Sequence, residues 1–483
     1  MLSLESAKDK ERKQSQKIEK ELPYFITIVS LLASSGFGPY TIFQKLKEIS
    51  LLPTIRAESI KILKRIDMLG IDPLTALYDA KDRPSSRGLG EFLSGYVSAI
   101  QSGGNVINYL RSKMESAYER YENVEKQSVE KVNGIVHAWL TMQIVILSIF
   151  ILVAAIGSNP IGGTTGDSGS QPPYILLIFA PIMSIIFMKL VQNMTGSNIQ
   201  ELPVKMILKF MIAPVLVATV LLLTNAMGSF GVNAYILGIA LIVGSLVPAL
   251  KFKKIYALNL DAEAATPQIL RDITEARKAG MGPEKCIIHA CKRKDFKTFN
   301  TVANSVASKL EWGVPLNNMF SALQSEIKNF QVLISFRILF EIIASGGGTI
   351  NSLDSLADTS EKIHNVQKNK RESLKPYVAV GFMLIVITGF TTLLTIDSFV
   401  SINQEKNLGK STTGDVNFES LMQFVSVAVI AQAWLAGLFI GKVTQGAYSG
   451  GFMYSIMLTA ATMVAIGMIQ THIINISSIL PKS

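Results

Sequence analysis

The stretch LPYFITIVSLLASSGFGP, residues 22–39, decides the fold, because a related stretch occurs later in the chain. Residues 266–283 read TPQILRDITEARKAGMGP. Four Gly and Pro positions coincide at an offset of 244 residues: Pro23, Gly36, Gly38 and Pro39 match Pro267, Gly280, Gly282 and Pro283. Chance rarely keeps four such residues in register. The chain therefore contains an internal repeat.

The repeat continues beyond this stretch. LGIDPLTAL at 69–77 matches WGVPLNNMF at 312–320, and IQSGGNVINYL at 100–110 matches IASGGGTINSL at 343–353 with an offset of 243. We therefore predict two copies of one helical-bundle module, at residues 22–133 and 251–376.

Periodicity and turn chemistry predict the helices of each copy. In the first copy the apolar residues recur at helical spacing: Leu22, Phe25, Ile26, Val29 and Leu32. Pro23 suits a first helical turn, where its missing N–H is not needed. Gly36 can close that helix in the left-handed conformation, and Pro39 can start the next.

The SGG segments predict chain reversals. Asn105 and Thr349 are placed to cap the helices that follow, since short polar side chains satisfy the free N–H groups of a first turn. Those helices, 105–133 and 349–376, run on into apolar segments.

Composition requires membrane spans. The chain has 483 residues, 49% of them hydrophobic and 17% charged, with a mean hydropathy of +0.35, which is too apolar for a soluble protein. Seven runs approach the roughly 20 residues that a spanning helix needs: 135–157, 174–190, 206–227, 232–250, 377–400, 420–441 and 451–471. The predicted fold class is an all-α membrane protein with about seven transmembrane helices and two duplicated cytoplasmic helical-bundle modules.

The positive charges predict the orientation. With the N-terminus inside, 43 of the 46 Lys and Arg residues lie on the cytoplasmic side, where such residues are retained. The predicted organisation is therefore a charged cytoplasmic segment at 1–21, the first module, four spans at 134–250, the second module, and three spans with a tail at 377–483.

Several chemistries are disfavoured by residue spacing. GLFIGK at 437–442 has too few residues between its glycines, and no Ser or Thr after Lys442, for a phosphate-binding loop. Gly437 and Gly441 instead fit a small-residue packing face. Cys286 and His289 share a helix face, but Cys291 lies about 140° away, so we predict no zinc site. We expect no enzyme activity, cofactor or metal.

The two modules and the spans after them resemble the type II secretion system F family. Their shared features are the LP…SG.GP opening, the SGG-type turn and the membrane helix that follows each module, over roughly 22–157 and 266–400. That family includes platform proteins of bacterial type II secretion and type IV pili, tight-adherence pilus proteins and the archaellum platform protein FlaJ. Seven spans and a long insert between the modules are similar to the archaeal branch.

The resemblance implies a membrane platform for an archaellum or archaeal type IV pilus. Its expected partners are a cytoplasmic hexameric secretion ATPase, pilin or archaellin filament subunits and membrane lipids, and a homodimer is expected. Some bacterial relatives carry acidic residues before the Gly of the hairpin turn. Here Gln101 and Ala344 begin the two turns, which supports the prediction of no metal.

Two kinds of contact site are candidates. The first is a pair of basic clusters that could dock on an acidic ATPase face, Lys61, Lys64, Arg65 and Lys292, Arg293, Lys294. A solvated helix surface, with attraction to anionic lipid, is the plainer interpretation. The second comprises the turn residues Ser102, Gly103, Gly104, Ser345, Gly346, Gly347 and Gly348, which could be contact tips or simply make the turns.

Two other functions stay open at this point. A multi-pass transporter or permease would be expected to hold ionisable groups at mid-membrane, and no Asp, Glu, Lys or Arg lies near the middle of a predicted span. A membrane signalling scaffold is the third hypothesis. A nucleic-acid partner is poorly supported.

Overall fold

The structure, a computed structural model, describes residues 2–81, 86–157, 174–194, 202–203, 205–212, 232–292, 296–344, 346, 348–407 and 418–470. These residues form helices and connecting turns, with no strand among them, so the all-α class is confirmed. The helices are α1 Leu2–Ser34, α2 Pro39–Glu48, α3 Pro53–Leu69, α4 Pro73–Lys81, α5 Arg87–Gln101, α6 Val106–Gly157, α7 Tyr174–Met194, α8 Val232–Lys278, α9 Pro283–Cys291, α10 Asn300–Glu311, α11 Leu316–Glu326, α12 Phe330–Ala344, α13 Ile350–Leu374, α14 Pro376–Asn407, α15 Phe418–Gln445 and α16 Tyr448–Gln470.

The chain divides into two compact units. One, here called the helical unit, combines Met1–Lys126 with Ala257–Asn369. The other, the apolar unit, combines Gln127–Tyr256 with Lys370–Ser483. We refer to the two segments of the helical unit as its first half and its second half.

The prediction that Pro23 opens a helix is wrong. Pro23 lies inside α1, which starts at Leu2, so the charged N-terminal residues belong to the same helix. Packing explains the extension, because Ile18 is fully buried. Glu19 accepts a hydrogen bond from the backbone N–H of Gly88, and Glu21 accepts those of Thr54 and Ile55. These two carboxylates satisfy free N–H groups at the starts of α5 and α3.

The second half repeats this capping arrangement with different side chains. Asp261 on α8 accepts the N–H of Thr298, just before α10, at 3.1 Å. Asn259 accepts the N–H of Lys328, just before α12, at 2.7 Å. In both halves, therefore, the long helix caps the third and fifth helices that pack on it.

The turns of the two halves have matching backbone geometry. Gly36 and Gly280 are left-handed, with φ of +88° and +83°, and each closes its helix with the paired 6→1 and 5→2 hydrogen bonds of a Schellman motif. Gly70 and Gly313 are left-handed at the next equivalent turn. The predicted start of α2 at Pro39 is confirmed, with Gly38 as its N-cap.

The core of the helical unit is built from both halves. On α12, every residue from Gln331 to Ile343 is buried, including Arg337 and Glu341. Tyr24 of α1 meets Phe330 edge-to-face, with ring centroids 5.1 Å apart. A helix such as α12, which is buried on all sides, is expected at the centre of a domain.

The apolar unit contains the membrane helices. Five helices are long and apolar enough to cross a bilayer, within Val106–Ile149, Ala234–Lys278, Ile350–Thr395, Val425–Gln445 and Tyr448–Met468. The protein is therefore a multi-pass membrane protein. The part of α7 from Phe179 to Met194 is a shorter apolar segment at the predicted second span. Most of the predicted span 206–227 lies outside the described residues.

The packing role predicted for Gly437 and Gly441 is confirmed. A Cβ on Gly437 would lie 2.3 Å from the backbone of Ser455, and one on Gly441 would lie 2.1 Å from Gly451. Only glycine allows α15 and α16 to approach so closely. Lys442 is buried beside them and donates to the carbonyl of Gly446, which closes the end of α15.

Candidate docking sites and family relationship

The first basic cluster lies along one face of α3. Lys61, Lys64 and Met68 recur at spacings of three and four residues, so they form one stripe. The opposite face packs into the core through Ile62 and Leu63. Burial of that apolar face fixes the outward direction of the basic stripe.

Ion pairs occupy two of the three basic residues in this cluster. Lys61 contacts Glu58 at 2.8 Å, and Arg65 contacts Asp79 at 3.4 Å. Lys64 is exposed and forms no ion pair with the described residues. The charge that remains available to a partner is therefore that of Lys64.

The second basic cluster is only partly described. Lys292 follows α9 and pairs with Glu311 at the end of α10. Arg293 and Lys294 lie outside the described residues. Lys309, on the same helix as Glu311, forms no ion pair with the described residues.

Three apolar residues next to these clusters were missed by the sequence analysis. Met68 and Leu69 end α3 and are 77% and 68% exposed, and Trp312 follows α10 and is 87% exposed. They are the most exposed large apolar side chains of the helical unit's described residues. Leu69 and Trp312 each precede a left-handed glycine and match at the repeat offset of 243. A large apolar residue directly before each helix-ending glycine was the available signal.

The two SGG turns have different surroundings. Ser102, Gly103 and Gly104 are exposed at the surface, which fits both a contact tip and a simple turn. In the second turn, Gly346 and Gly348 line a cavity of about 420 Å³, together with other residues of the helical unit: Ser35, Arg277, Ile342, Thr349 and Ile350. Ser345 and Gly347 lie outside the described residues.

The predicted caps after these turns are confirmed. The Asn105 side-chain oxygen accepts the N–H of Asn108 at 3.0 Å, and the Thr349 hydroxyl accepts that of Ser352 at 3.2 Å. Ser352 also lies 3.2 Å from the hydroxyl of Ser35, which ties the second turn to the end of α1. The turn residues therefore have structural roles in addition to any contact role.

The cysteines belong to the core of the helical unit. Cys286 and Cys291 are both buried, and neither forms a disulfide. Burial raises the pKa of the Cys291 thiol to about 12, which disfavours the thiolate that a metal would need. His289, between them, is exposed.

A polar cluster lies among the membrane helices of the apolar unit. The N–H donors of Trp139, Gln143 and Gln432 all lie within 3.3 Å of the Ser184 hydroxyl. A hydroxyl has two acceptor sites, so three donors exceed its capacity. An adjacent cavity of about 60 Å³ is lined by apolar residues, threonines and these glutamines, with no ionisable group among the lining residues. The cluster joins α6, α7 and α15.

Comparison with known families identifies the repeated module. The family model described as "Type II secretion system (T2SS), protein F" matches residues 25–156 and again 269–396, which together make up more than half of the chain. The chain belongs to this family. Both matches begin within the long first helix of a half and end in an apolar helix, so the type II secretion F domain occurs here in two copies.

One curated relative covers nearly the whole chain. An uncharacterized protein of the archaeon Methanocaldococcus jannaschii, MJ1286, is 20% identical over 479 residues, which is 92% of this chain and 78% of the relative. No solved structure matches the chain.

Proposed function

We propose that this type II secretion F protein is the membrane platform of an archaellum or archaeal type IV pilus machine. It would couple a cytoplasmic hexameric secretion ATPase to filament assembly or rotation, with pilin or archaellin subunits as its partners in the membrane. The observation that carries the proposal is the double occurrence of the family domain in a multi-pass protein. An archaeal relative that matches along 92% of the chain supports the archaeal branch.

The proposal includes an arrangement in the membrane. The two modules, 22–133 and 251–376, lie in the cytoplasm, and seven spans hold them there. The charge distribution supports this orientation, since nearly all Lys and Arg then lie inside. Within the chain, α6 leads from the helical unit into an apolar segment as one continuous helix. A force applied to the first module would be passed along that helix.

The basic clusters are the proposed ATPase contacts. Lys64 belongs to the first cluster, and Lys309 lies outside the second cluster, on the helix whose Glu311 pairs with Lys292. Both carry charges that no described residue neutralises, which suits attraction to an acidic partner. The proposed assembly is a homodimer, because a two-fold platform is compatible with a six-fold ring.

Deletion of the encoding gene tests the function in the cell. We expect the deletion strain to lose one class of surface filament in electron micrographs and to recover it with the wild-type gene. Loss of swimming would identify an archaellum, and loss of surface adhesion would identify a pilus. Normal filaments in the deletion strain would refute the proposal.

Cysteine labelling tests the orientation. The native cysteines are buried, so an introduced Ser102→Cys at the exposed first turn would dominate the signal. We expect a membrane-impermeant maleimide to label it only after the cells are permeabilised. Labelling in intact cells would place the first module outside and overturn the arrangement.

A further inference from the structure

At the ends of α3 and α10, exposed apolar side chains lie near a lysine that forms no ion pair with the described residues. We call Met68–Gly70 the α3 tip and Trp312–Gly313 the α10 tip. Lys64 lies one helical turn before Met68, and Lys309 lies one turn before Trp312. Each lysine therefore lies on the same helix face as that exposed apolar side chain. Each tip is therefore an exposed apolar side chain with a cation beside it.

The turns themselves do not require these apolar side chains. Gly70 and Gly313 supply the left-handed conformation, and backbone hydrogen bonds close both helix ends. The N–H of Gly70 donates to the carbonyl of Ile66. At the other end, the N–H groups of Gly313 and Val314 donate to the carbonyls of Leu310 and Lys309, respectively. Exposed Leu69 and Trp312 add nothing to that closure. Single exposed apolar side chains are common on protein surfaces. Here Met68 and Leu69 are adjacent, and Trp312 stands at the position equivalent to Leu69 in the second half, with an exposure of 87%. This repetition, more than the exposure itself, points to a partner.

We propose that the α3 and α10 tips are two docking anchors for a protein that presents apolar pockets rimmed by carboxylates. The inference rests on the proposed function, in which this partner is the hexameric ATPase, and it assigns the apolar part of that contact. Two equivalent tips in one chain suit a partner that repeats the same pocket, as a homo-oligomer does. Aromatic and large apolar anchors in such pockets usually supply most of the binding energy.

A protein pocket fits the tips better than a lipid surface. Adsorption of a cytoplasmic segment on anionic lipid takes a cluster of about four to eight basic residues. Here Glu58, Asp79 and Glu311 already pair with Lys61, Arg65 and Lys292, which leaves one free lysine at each tip among the described residues. One lysine can steer a protein encounter, whereas it would hold a membrane weakly.

Binding of the full-length chain to the hexameric ATPase tests the inference. The chain would be held in nanodiscs, and its affinity for the ATPase of the same organism would be measured by biolayer interferometry. We expect Trp312→Ser, and separately the Met68→Ser/Leu69→Ser double variant, to weaken binding by about tenfold or more. Lys64→Glu and Lys309→Glu should lower the association rate and its salt dependence.

The matched control is Val124→Ser, which removes another exposed apolar side chain of the helical unit, 56% exposed on α6. It should change the dissociation constant by less than about twofold, as expected outside a hot spot. Equal binding by wild type and both tip variants would overturn the anchors while the proposed function stands. Failure of the wild type to bind the hexamer would overturn both.

Vesicles of anionic lipid would replace the ATPase in a second titration. If the tip substitutions reduce sedimentation with vesicles and leave ATPase binding unchanged, the tips are lipid anchors and the inference is wrong. If they reduce ATPase binding alone, it is supported.

Discussion

The two halves of the helical unit share their turns but bury different helices. Glycines with positive φ stand at three matching positions, Gly36 and Gly280, Gly70 and Gly313, and Gly103 and Gly346. The long first helix of each half also caps the same two neighbours. Yet α5 keeps Glu91 and Ser98 exposed, whereas its counterpart α12 is buried on all sides. Local turn chemistry therefore specifies the path of the chain, and burial follows from how the two halves pack together.

One equivalent contact shows the same contrast. In the first half, the hydroxyls of Thr27 and Tyr118 meet in the core at 2.6 Å. At the matching positions of the second half, Arg271 and Glu361 form an ion pair with both side chains about half exposed. The same crossing of two helices is thus joined by a neutral hydrogen bond where it is buried and by charges where it meets water.

The largest difference in unfolding free energy between equivalent substitutions in the two halves is expected at Arg337. This buried side chain pairs with Glu341, which also contacts Lys45 at 3.4 Å. Arg337→Ala would leave a buried carboxylate with less compensation, so we expect a loss of about 3–5 kcal/mol in unfolding free energy. Urea unfolding of the detergent-solubilised chain, followed by circular dichroism, would measure it.

The matched control is Ser94→Ala, at the equivalent position of α5. Ser94 is only partly buried, so its loss should cost less than about 0.5 kcal/mol. Similar costs for the two variants would show that α12 is not the central helix.

A second, smaller difference in stability is expected where α1 crosses α6 and where α8 crosses α13, at the contacts of Thr27 and Arg271. Thr27→Val would leave the buried Tyr118 hydroxyl without this partner and should cost about 1–3 kcal/mol, independently of salt. Arg271→Ala should cost less than about 1 kcal/mol, and added salt should reduce the difference. Urea midpoints at low and high salt would compare the two, and a strong salt effect on Thr27→Val would contradict the assignment.

The left-handed turns should respond equally in both halves. Alanine at Gly36 or Gly280 meets no nearby atom, so the cost comes from the backbone conformation alone. We expect about 1–2 kcal/mol for each variant. Thermal melting of the two purified proteins would check this, and a difference larger than about 1 kcal/mol would show that the turns are not equivalent.

The smallest effect is expected from the capping side chains of the long helices. Glu21→Ala and Asp261→Ala each remove an acceptor at the start of the third helix, and each should cost about 0.5–2 kcal/mol. Hydrogen exchange read by mass spectrometry should show faster exchange at the start of α3 in the first variant and at the start of α10 in the second. Unchanged exchange at these sites would argue against a capping role.

The parts of the fold that sequence predicts well are those set by neighbouring residues. Gly36 ends its helix because it adopts positive φ at low cost, and Asn105 caps the next because its oxygen reaches an N–H three residues on. The small-residue face at Gly437 follows equally from local spacing. Pro23 was misplaced because the extension of α1 depends on Glu19 and Glu21, whose partners lie 33 to 69 residues away.

The candidate docking sites were likewise predicted only in part from the sequence. The sequence shows where Lys61, Lys64 and Arg65 cluster, but only the tertiary structure shows that two of them are already paired. Exposure of Trp312 likewise depends on packing, since the residue type alone does not show whether another helix covers that helix end.

The sequence by itself determined an all-helical membrane protein with a repeated module, because hydropathy, charge and turn residues act over short distances along the chain. Only the tertiary structure decided that α12 is central, that Glu19 and Glu21 cap distant helices, and that Leu69 and Trp312 face water. Each of these depends on contacts between residues far apart in sequence, and local patterns carry no record of such contacts.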